Sequence, residues 1–384
     1  MIHSHQPMLS PVLEILKLTE SNIPLGGHTA FHKLWQNEAE CLLHECLEQS
    51  EVSDKEKQQA QDILELVSDA FFILTREGTN PSWTHLSLQD RLAKVKAIED
   101  SPQIPQRSEE WYRNYGKVLT ASEFSALFQQ NKRRKDLVLS KAHPPQEISA
   151  NYRLACPTNE LNAIGWGIRF EPVLKLLLEH KDKCLIYESG RLHHRTNTHL
   201  AASPDGIISQ SHHPEQIGRL VEIKCPYSRS IGGEIPLDYW IQMQIQMEVA
   251  DVDECEYIEC DIVSARAKQV ESIDLSGTTY TGNIYLVKQK VEDGDPFEYR
   301  YLYGAIDSSE MPAIPDGFEC MEVVPWGLKR WHRKLVYRDR QWYEGTIPWQ
   351  DAFWQDVEKA KKGELVNVQT PKVSKATPCL ITDD

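Results

Sequence analysis

The first hundred positions carry apolar residues at helical spacing. V-L-E-I-L-K-L from Val12, the stretch Ala39 to Leu47, and A-Q-D-I-L-E-L-V-S-D-A-F-F-I-L from Ala60 all recur at i, i+3 and i+4, and Leu88 to Ile98 adds another amphipathic helix. Asn22 to Gly27 and Gly78 to Ser82 read as loops, and S-P-Q-I-P-Q-R from Ser101 is the best domain boundary. Beyond it the pattern mixes. Lys132 to Glu160 is polar, broken by prolines, and reads as a mobile loop, whereas Asn162 to His180 has a helical apolar stripe. Cys184 to Arg195 reads as a strand, Leu237 to Ala250 as a helix and Glu254 to Val263 as a strand. G-N-I-Y-L-V-K-Q-K and F-E-Y-R-Y-L-Y form a hairpin around E-D-G-D-P, and a last helix covers Trp349 to Lys362 before a loose tail.

The stretch that organises these elements is H-L-A-A-S-P-D-G-I-I-S-Q followed, after a polar turn, by G-R-L-V-E-I-K-C-P, residues 199 to 226. Two short β-branched runs flanking a polar connection predict neighbouring antiparallel strands. Alternation puts Glu222 and Lys224 on one face and Val221, Ile223 and Cys225 on the other. Charged groups on a strand face that should be buried are costly unless paired or bound to a cation. A divalent ion between Asp205 and Glu222, with Lys224 beside it, removes that cost.

Composition narrows the class. An apolar fraction of 40% suits a globular core, and no run approaches the roughly 18 apolar residues of a membrane span. M-I-H-S-H-Q lacks the pattern of a cleavable signal, so the expectation is a non-secreted, intracellular protein of cytoplasm or nucleus. Nine scattered cysteines read as reduced thiols, and Cys41, His44 and Cys46 lack a second ligand pair for zinc. A net charge of −15 argues against a general nucleic-acid coat protein but leaves room for a local basic path through Arg107, Arg113, Lys117, Lys132 to Lys135 and Arg229. The cluster from Lys132 reads equally as a solvated helix end. His193, His194 and His199 read as surface or DNA-facing residues.

S-P-D-G-I followed by V-E-I-K-C-P resembles the core of the PD-(D/E)XK nucleases, and more narrowly the lambda exonuclease and YqaJ-like viral recombinase family. Further segments match in order. E-E-W-Y-R-N-Y-G-K-V-L-T-A-S-E-F is similar to the family's opening motif, with Thr120 or Ser122 capping a helix whose amides suit a phosphate. The family's arginine is Tyr115 here, with Arg113 or Lys117 as substitutes, which puts strict dependence on a 5′-phosphate in doubt. W-G-I-R-F-E resembles the family's helix-borne acid and places it at Glu171, and Y-W-I-Q-M-Q resembles its Y-x-x-Q-x-Q helix, with Tyr239, Gln242 and Gln246 one turn apart.

The resemblance implies a restriction-endonuclease-like α/β core with a mixed central sheet flanked by helices over residues 105–365, after a helical N-terminal region of unknown role at 1–104 and before a flexible tail at 366–384. It implies Mg²⁺, or Mn²⁺ in its place, held by Glu171, Asp205, Glu222 and the Ile223 carbonyl, because hard oxygen donors suit such ions. Lys224 orients or helps deprotonate water, with a pKa lowered by the ion beside it. Gln242 positions water or a phosphate oxygen, and Arg113, Lys117, Ser122 and Tyr239 hold DNA or its 5′-phosphate. The implied activity is exonuclease digestion of double-stranded DNA from 5′ ends in recombination or repair. An annealing protein for single strands, a homotrimer and a viral origin accompany it. A PD-(D/E)XK endonuclease and a non-catalytic DNA-binding relative are the alternatives.

Overall fold

The structure, a computed structural model, describes residues 6–22, 29–49, 52–76, 86–105, 108–129, 132–144, 161–264, 273–290 and 298–364. The helices are α1 (Gln6–Asn22), α2 (Thr29–Glu48), α3 (Asp54–Arg76), α4 (Leu88–Glu99), α5 (Glu109–Arg113), α6 (Lys132–Ala142), α7 (Ala163–Asp182), α8 (Leu237–Ala250), α9 (Arg340–Gly345) and α10 (Ile347–Lys361). The strands are β1 (Leu119–Thr120), β2 (Cys184–Tyr187), β3 (Leu192–His193), β4 (Leu200–Ala202), β5 (Gly206–Ser211), β6 (Leu220–Lys224), β7 (Glu254–Ser264), β8 (Tyr280–Gln289), β9 (Tyr299–Tyr303) and β10 (Phe318–Tyr337). Among the described residues no helix is long and apolar enough to cross a membrane.

Helices α1 to α3 bury their apolar stripes on one another, Val12, Ile15 and Leu16 meeting Trp35, Ala39, Leu43 and Ile63 in a core of their own. α4 behaves differently. A Ser87–Asp90 capping box starts it, and Val95 and Ile98 join the core beneath the sheet. Arg91 donates to the Ile217 carbonyl at 3.2 Å and lies 3.4 Å from Glu254. The boundary expected at 104 thus falls after a helix that is already part of the sheet's packing, because its two apolar positions find partners there.

The main sheet has seven strands in the order β2-β5-β6-β7-β10-β8-β9, and a small sheet runs β1-β4-β3. β5 and β6 are antiparallel, with Gly206 opposite Val221 and Ile207 opposite Leu220, as the alternating pattern predicts. β6 and β7 run parallel, so the sheet is mixed. The expected hairpin is present as β8 and β9, paired from Ile284–Tyr303 to Lys288–Tyr299, while its E-D-G-D-P turn lies outside the described residues. α7 covers the Val221/Ile223 face of the sheet through Trp166, Phe170 and Leu174, and α8 belongs to the core on the other side. The mixed α/β core flanked by helices therefore matches the fold that the sequence implies.

Two expectations for the loops need correction. Lys132 to Ala142 is helix, not loop, because Leu137, Val138 and Ala142 give it a buried side; residues 145–160 lie outside the described residues. Nor does an α-helix follow T-A-S. Phe124 to Phe128 is a single 3₁₀ turn with four successive buried residues, which leaves no polar side for an exposed helix to present. The terminal tail also lies outside the described residues.

Candidate active site

The β5–β6 pair carries two of the acids and the lysine, and α8 carries Tyr239, Gln242 and Gln246. Asp205 stands immediately before β5, where its Oδ2 accepts the Ile223 amide at 2.7 Å, tying the two strands together. Glu222 is fully buried; one carboxylate oxygen accepts the Lys224 ammonium and the other accepts Gln246 Nε2 at 2.7 Å. Lys224 lies over the Tyr239 ring, 4.7 Å from its centroid, and Arg229 over the same ring at 5.9 Å. Tyr239 is thereby fixed beneath two cations, and Gln242, one turn further on, is half-buried.

Glu171 comes from α7, on the other side of the sheet. Lys175, one turn along, holds it at 3.1 Å and also holds Glu188 at 2.9 Å. Asp205 nevertheless feels both Glu222 and Glu171. Burial pushes the Asp205 carboxyl well above the usual carboxylate range, Glu222 and then Glu171 push it further, and Lys224 and the Ile223 amide oppose them. Burial alone would depress the Lys224 ammonium, but the Glu222 and Asp205 carboxylates outweigh it and hold it above its ordinary value.

The donor set fits a hard divalent ion in its chemistry: carboxylates and a backbone carbonyl, without thiolate or imidazole among them. Gln246 Oε1 is buried and makes no hydrogen bond, so an acceptor beside Glu222 is left for a water or another donor. Among the described residues, however, no three His, Cys, Asp or Glu side chains are gathered tightly enough to hold an ion. The physical reason is visible in the pairing. Each acid has turned to a cation or donor of this chain (Glu222 to Lys224 and Gln246, Glu171 to Lys175, Asp205 to the Ile223 amide).

Around the candidate phosphate pocket the structure redistributes the expected parts. Arg113 is exposed and paired with Glu109, Lys117 is exposed, and Ser122 Oγ lies 3.4 Å from Thr120 Oγ1. Thr120 donates from both its amide, at 2.9 Å, and its hydroxyl, at 2.7 Å, to Glu123. The buried cations here are Lys141 and Arg191. Lys141 lies 2.9 Å from both Glu123 oxygens and 3.7 Å from the centre of the Tyr115 ring. Arg191 donates to the Trp111 carbonyl at 2.9 Å and stacks on the Trp111 ring at 4.1 Å. A lone arginine between Gly190 and Leu192 carries no spacing signal, so sequence reasoning passed over it.

The rest of the expected basic path is mixed. Arg134 is buried and paired with Asp356 at 2.8 Å, Arg133 pairs with Asp238 at 2.7 Å, and Lys132 and Lys135 face solvent. Arg229 is held by buried Glu259, which also accepts the Tyr257 hydroxyl at 2.5 Å and the Gly232 amide at 3.3 Å, anchoring the loop after β6. Arg107 lies outside the described residues. His194 is turned inward, 3.4 Å from Glu248, whereas His193 and His199 are exposed.

The mixed sheet brings Asp205, just before β5, next to β6 with its Glu222 and Lys224, the segment that resembles the PD-(D/E)XK core. Residues 110–253 match the model of the YqaJ-like viral recombinase domain, so over that segment the chain is similar to this family. A 183-residue stretch, 45% of the chain, is 29% identical to an uncharacterized protein of Acanthamoeba polyphaga mimivirus. That stretch is 32% of the viral protein, so the chain matches about a third of its relative's length. Two solved structures of LHK-Exo, an alkaline exonuclease from Laribacter hongkongensis, are similar as well. The one in complex with dAMP gives a TM-score of 0.39 at 18% identity, covering 67% of this chain and 95% of that one. The other gives 0.38 at 16%, covering 67% and 97%.

Proposed function

We propose that this chain is a Mg²⁺-dependent deoxyribonuclease that digests double-stranded DNA from its ends, in the 5′-to-3′ direction, in recombination or repair. The observation that carries the reading is the junction of Asp205, Glu222 and Lys224 across β5 and β6, where the Ile223 amide locks Asp205 beside its neighbour strand. Burial and the neighbouring Glu222 and Glu171 carboxylates hold the Asp205 carboxyl well above the ordinary range, a cost that a bound cation would offset.

Asp205, Glu222, Glu171 and the Ile223 carbonyl would hold the ion, with Mn²⁺ able to replace Mg²⁺. Bound there, it would neutralise the scissile phosphate, activate water and steady the departing oxygen. The chain's own groups do the rest. Gln246 fixes the Glu222 carboxylate, and Tyr239 supports the Lys224 ammonium against its ring face. Freed from Glu222, that ammonium orients the attacking water and offsets phosphate charge. Gln242 positions the water or a phosphate oxygen from the same helix.

The test uses end-labelled linear duplex and covalently closed circular DNA, with Mg²⁺ or EDTA, and with either end phosphorylated. Loss of linear DNA alone, only with Mg²⁺ and from the 5′-labelled end, supports the proposal. Cutting of the circle selects an endonuclease, and cleavage in EDTA removes the metal role. Asp205→Ala degrading linear DNA at the wild-type rate would sink the site assignment.

A further inference from the structure

One cavity outside the β5–β6 pair combines an aromatic face with amide and ammonium donors. It measures about 570 Å³ and lies between the turn before β4 and α10, outside the segment that matches the family model on its α10 side. That volume is within the range of small-ligand sites. The rings of His199 and Trp354 meet there, 4.5 Å between centroids at 36°.

Both rings are held in place from behind. His199 Nδ1 lies 3.0 Å from the Lys117 carbonyl. A carbonyl only accepts, so Nδ1 carries the proton, and in the neutral ring Nε2 is left as an acceptor. Trp354 is half-buried and braced edge-on by Phe353 at 5.4 Å. A fixed aromatic pair open to water gives a stacking surface without an ordering cost at binding.

The rim shows what would stack on it. Gln355 offers an amide, Lys359 and Lys362 offer ammonium groups, and Asp351 and Glu358 offset them. Glu358 is paired with Lys361 at 2.7 Å and Lys359 lies 3.6 Å from Asp356, so little net charge remains. Balanced charge does not make a phosphate site. A flat face with hydrogen-bonding groups at its edge suits a nucleobase, which stacks by its π-face and is tolerant of sequence.

His199 also lies six residues before Asp205 in the chain, so the platform is within roughly 20 Å of the candidate acids, about six nucleotides of stacked strand. We propose that the His199–Trp354 platform takes a base of single-stranded DNA running past the β5–β6 site. The inference rests on the nuclease reading for the identity of the strand and adds a site to it.

The test measures binding of labelled oligothymidylate, about twenty nucleotides long, to the full chain in EDTA. Trp354→Ala is expected to weaken binding roughly 5- to 100-fold, the worth of one stacked base, while Trp354→Phe, which keeps a ring, stays within about threefold of wild type. The salt dependence should be the same for all three proteins, because no phosphate contact is removed. Wild-type affinity in Trp354→Ala overturns the proposal. So does equal loss in Trp354→Phe, which marks a packing role, or thymidine monophosphate competing as well as the oligonucleotide, which marks a mononucleotide site. Cleavage is followed separately: a wild-type chain that never cuts DNA but binds it through Trp354 overturns the nuclease reading and leaves the platform standing.

Discussion

Gln246→Leu separates the stability of the site from its chemistry. Gln246 is fully buried and donates to Glu222 at 2.7 Å, while its own Oε1 has no partner. Leucine of similar volume removes both atoms. Losing a hydrogen bond to a charged acceptor costs about 1.5–3 kcal/mol, and removing a buried unsatisfied oxygen returns about 1–3 kcal/mol. The two nearly cancel, so the metal-free protein should unfold in urea within about 1.5 kcal/mol of wild type. Function should not be spared. Glu222 would keep Lys224 but lose the contact that orients it, and losses of about 10- to 100-fold in metal affinity or rate are usual for such partners. The assay is degradation of linear duplex as a function of Mg²⁺ concentration. Destabilisation beyond about 3 kcal/mol, or an unchanged rate at unchanged half-saturating Mg²⁺, would refute the reasoning.

Asp205→Asn should abolish Mg²⁺-dependent cleavage yet leave the fold at least as stable in EDTA, since it removes the acid whose pKa burial and its carboxylate neighbours raise; a strongly destabilised protein would count against the cluster. Lys224→Met should lower the rate about 10²- to 10⁴-fold while Mg²⁺ still protects against thermal unfolding; loss of that protection would move Lys224 from the chemistry to the ion site. Lys141→Met should cost about 3–5 kcal/mol, because it leaves Glu123 without the ammonium that meets both its oxygens at 2.9 Å. Adding Glu123→Gln should recover part of that loss, and strict additivity of the two changes in denaturant unfolding would argue against the pair. Asp182 gives the pH dependence: burial would raise its pKa, but Arg333, hydrogen-bonded to it, wins and holds it below the ordinary value. The folded state then binds fewer protons, so Asp182 contributes stability above the unfolded value of about 3.9 and loses it as pH falls through the lower folded value. Asp182→Asn should narrow its stability gap to wild type over that acid range, and a gap independent of pH would contradict the assignment.

The β5–β6 junction was legible because alternation leaves Glu222 and Lys224 on one face whatever surrounds them. Choosing between Gln242 and Gln246 was not possible from spacing. They lie one turn apart on the same side of α8, and only the seating of that helix against β6 brings Gln246, rather than Gln242, to Glu222. Lys175 was hidden for a similar reason: an i,i+4 lysine after Glu171 reads as a surface pair, and its reach to Glu188 depends on tertiary packing. Lys132 to Ala142 reads as loop in the sequence because its polar beginning masks three apolar positions that find cover only against the rest of the core. Arg191 and Lys141 had no local signal at all, since buried cations are justified by partners far away in sequence.

The segment that matches the family model stops at residue 253, one residue before β7 begins. β7 is the parallel neighbour of β6 from Leu220–Cys255 to Lys224–Glu259, and β10 then covers β7 along its whole length. Cut there, the strand bearing Glu222 and Lys224 would keep only half of its backbone ladder satisfied and offer the other half to any passing chain. A fragment trimmed to the recognisable motif would thus be prone to self-association, and the stretch with the weakest signature is what keeps the reactive strand closed.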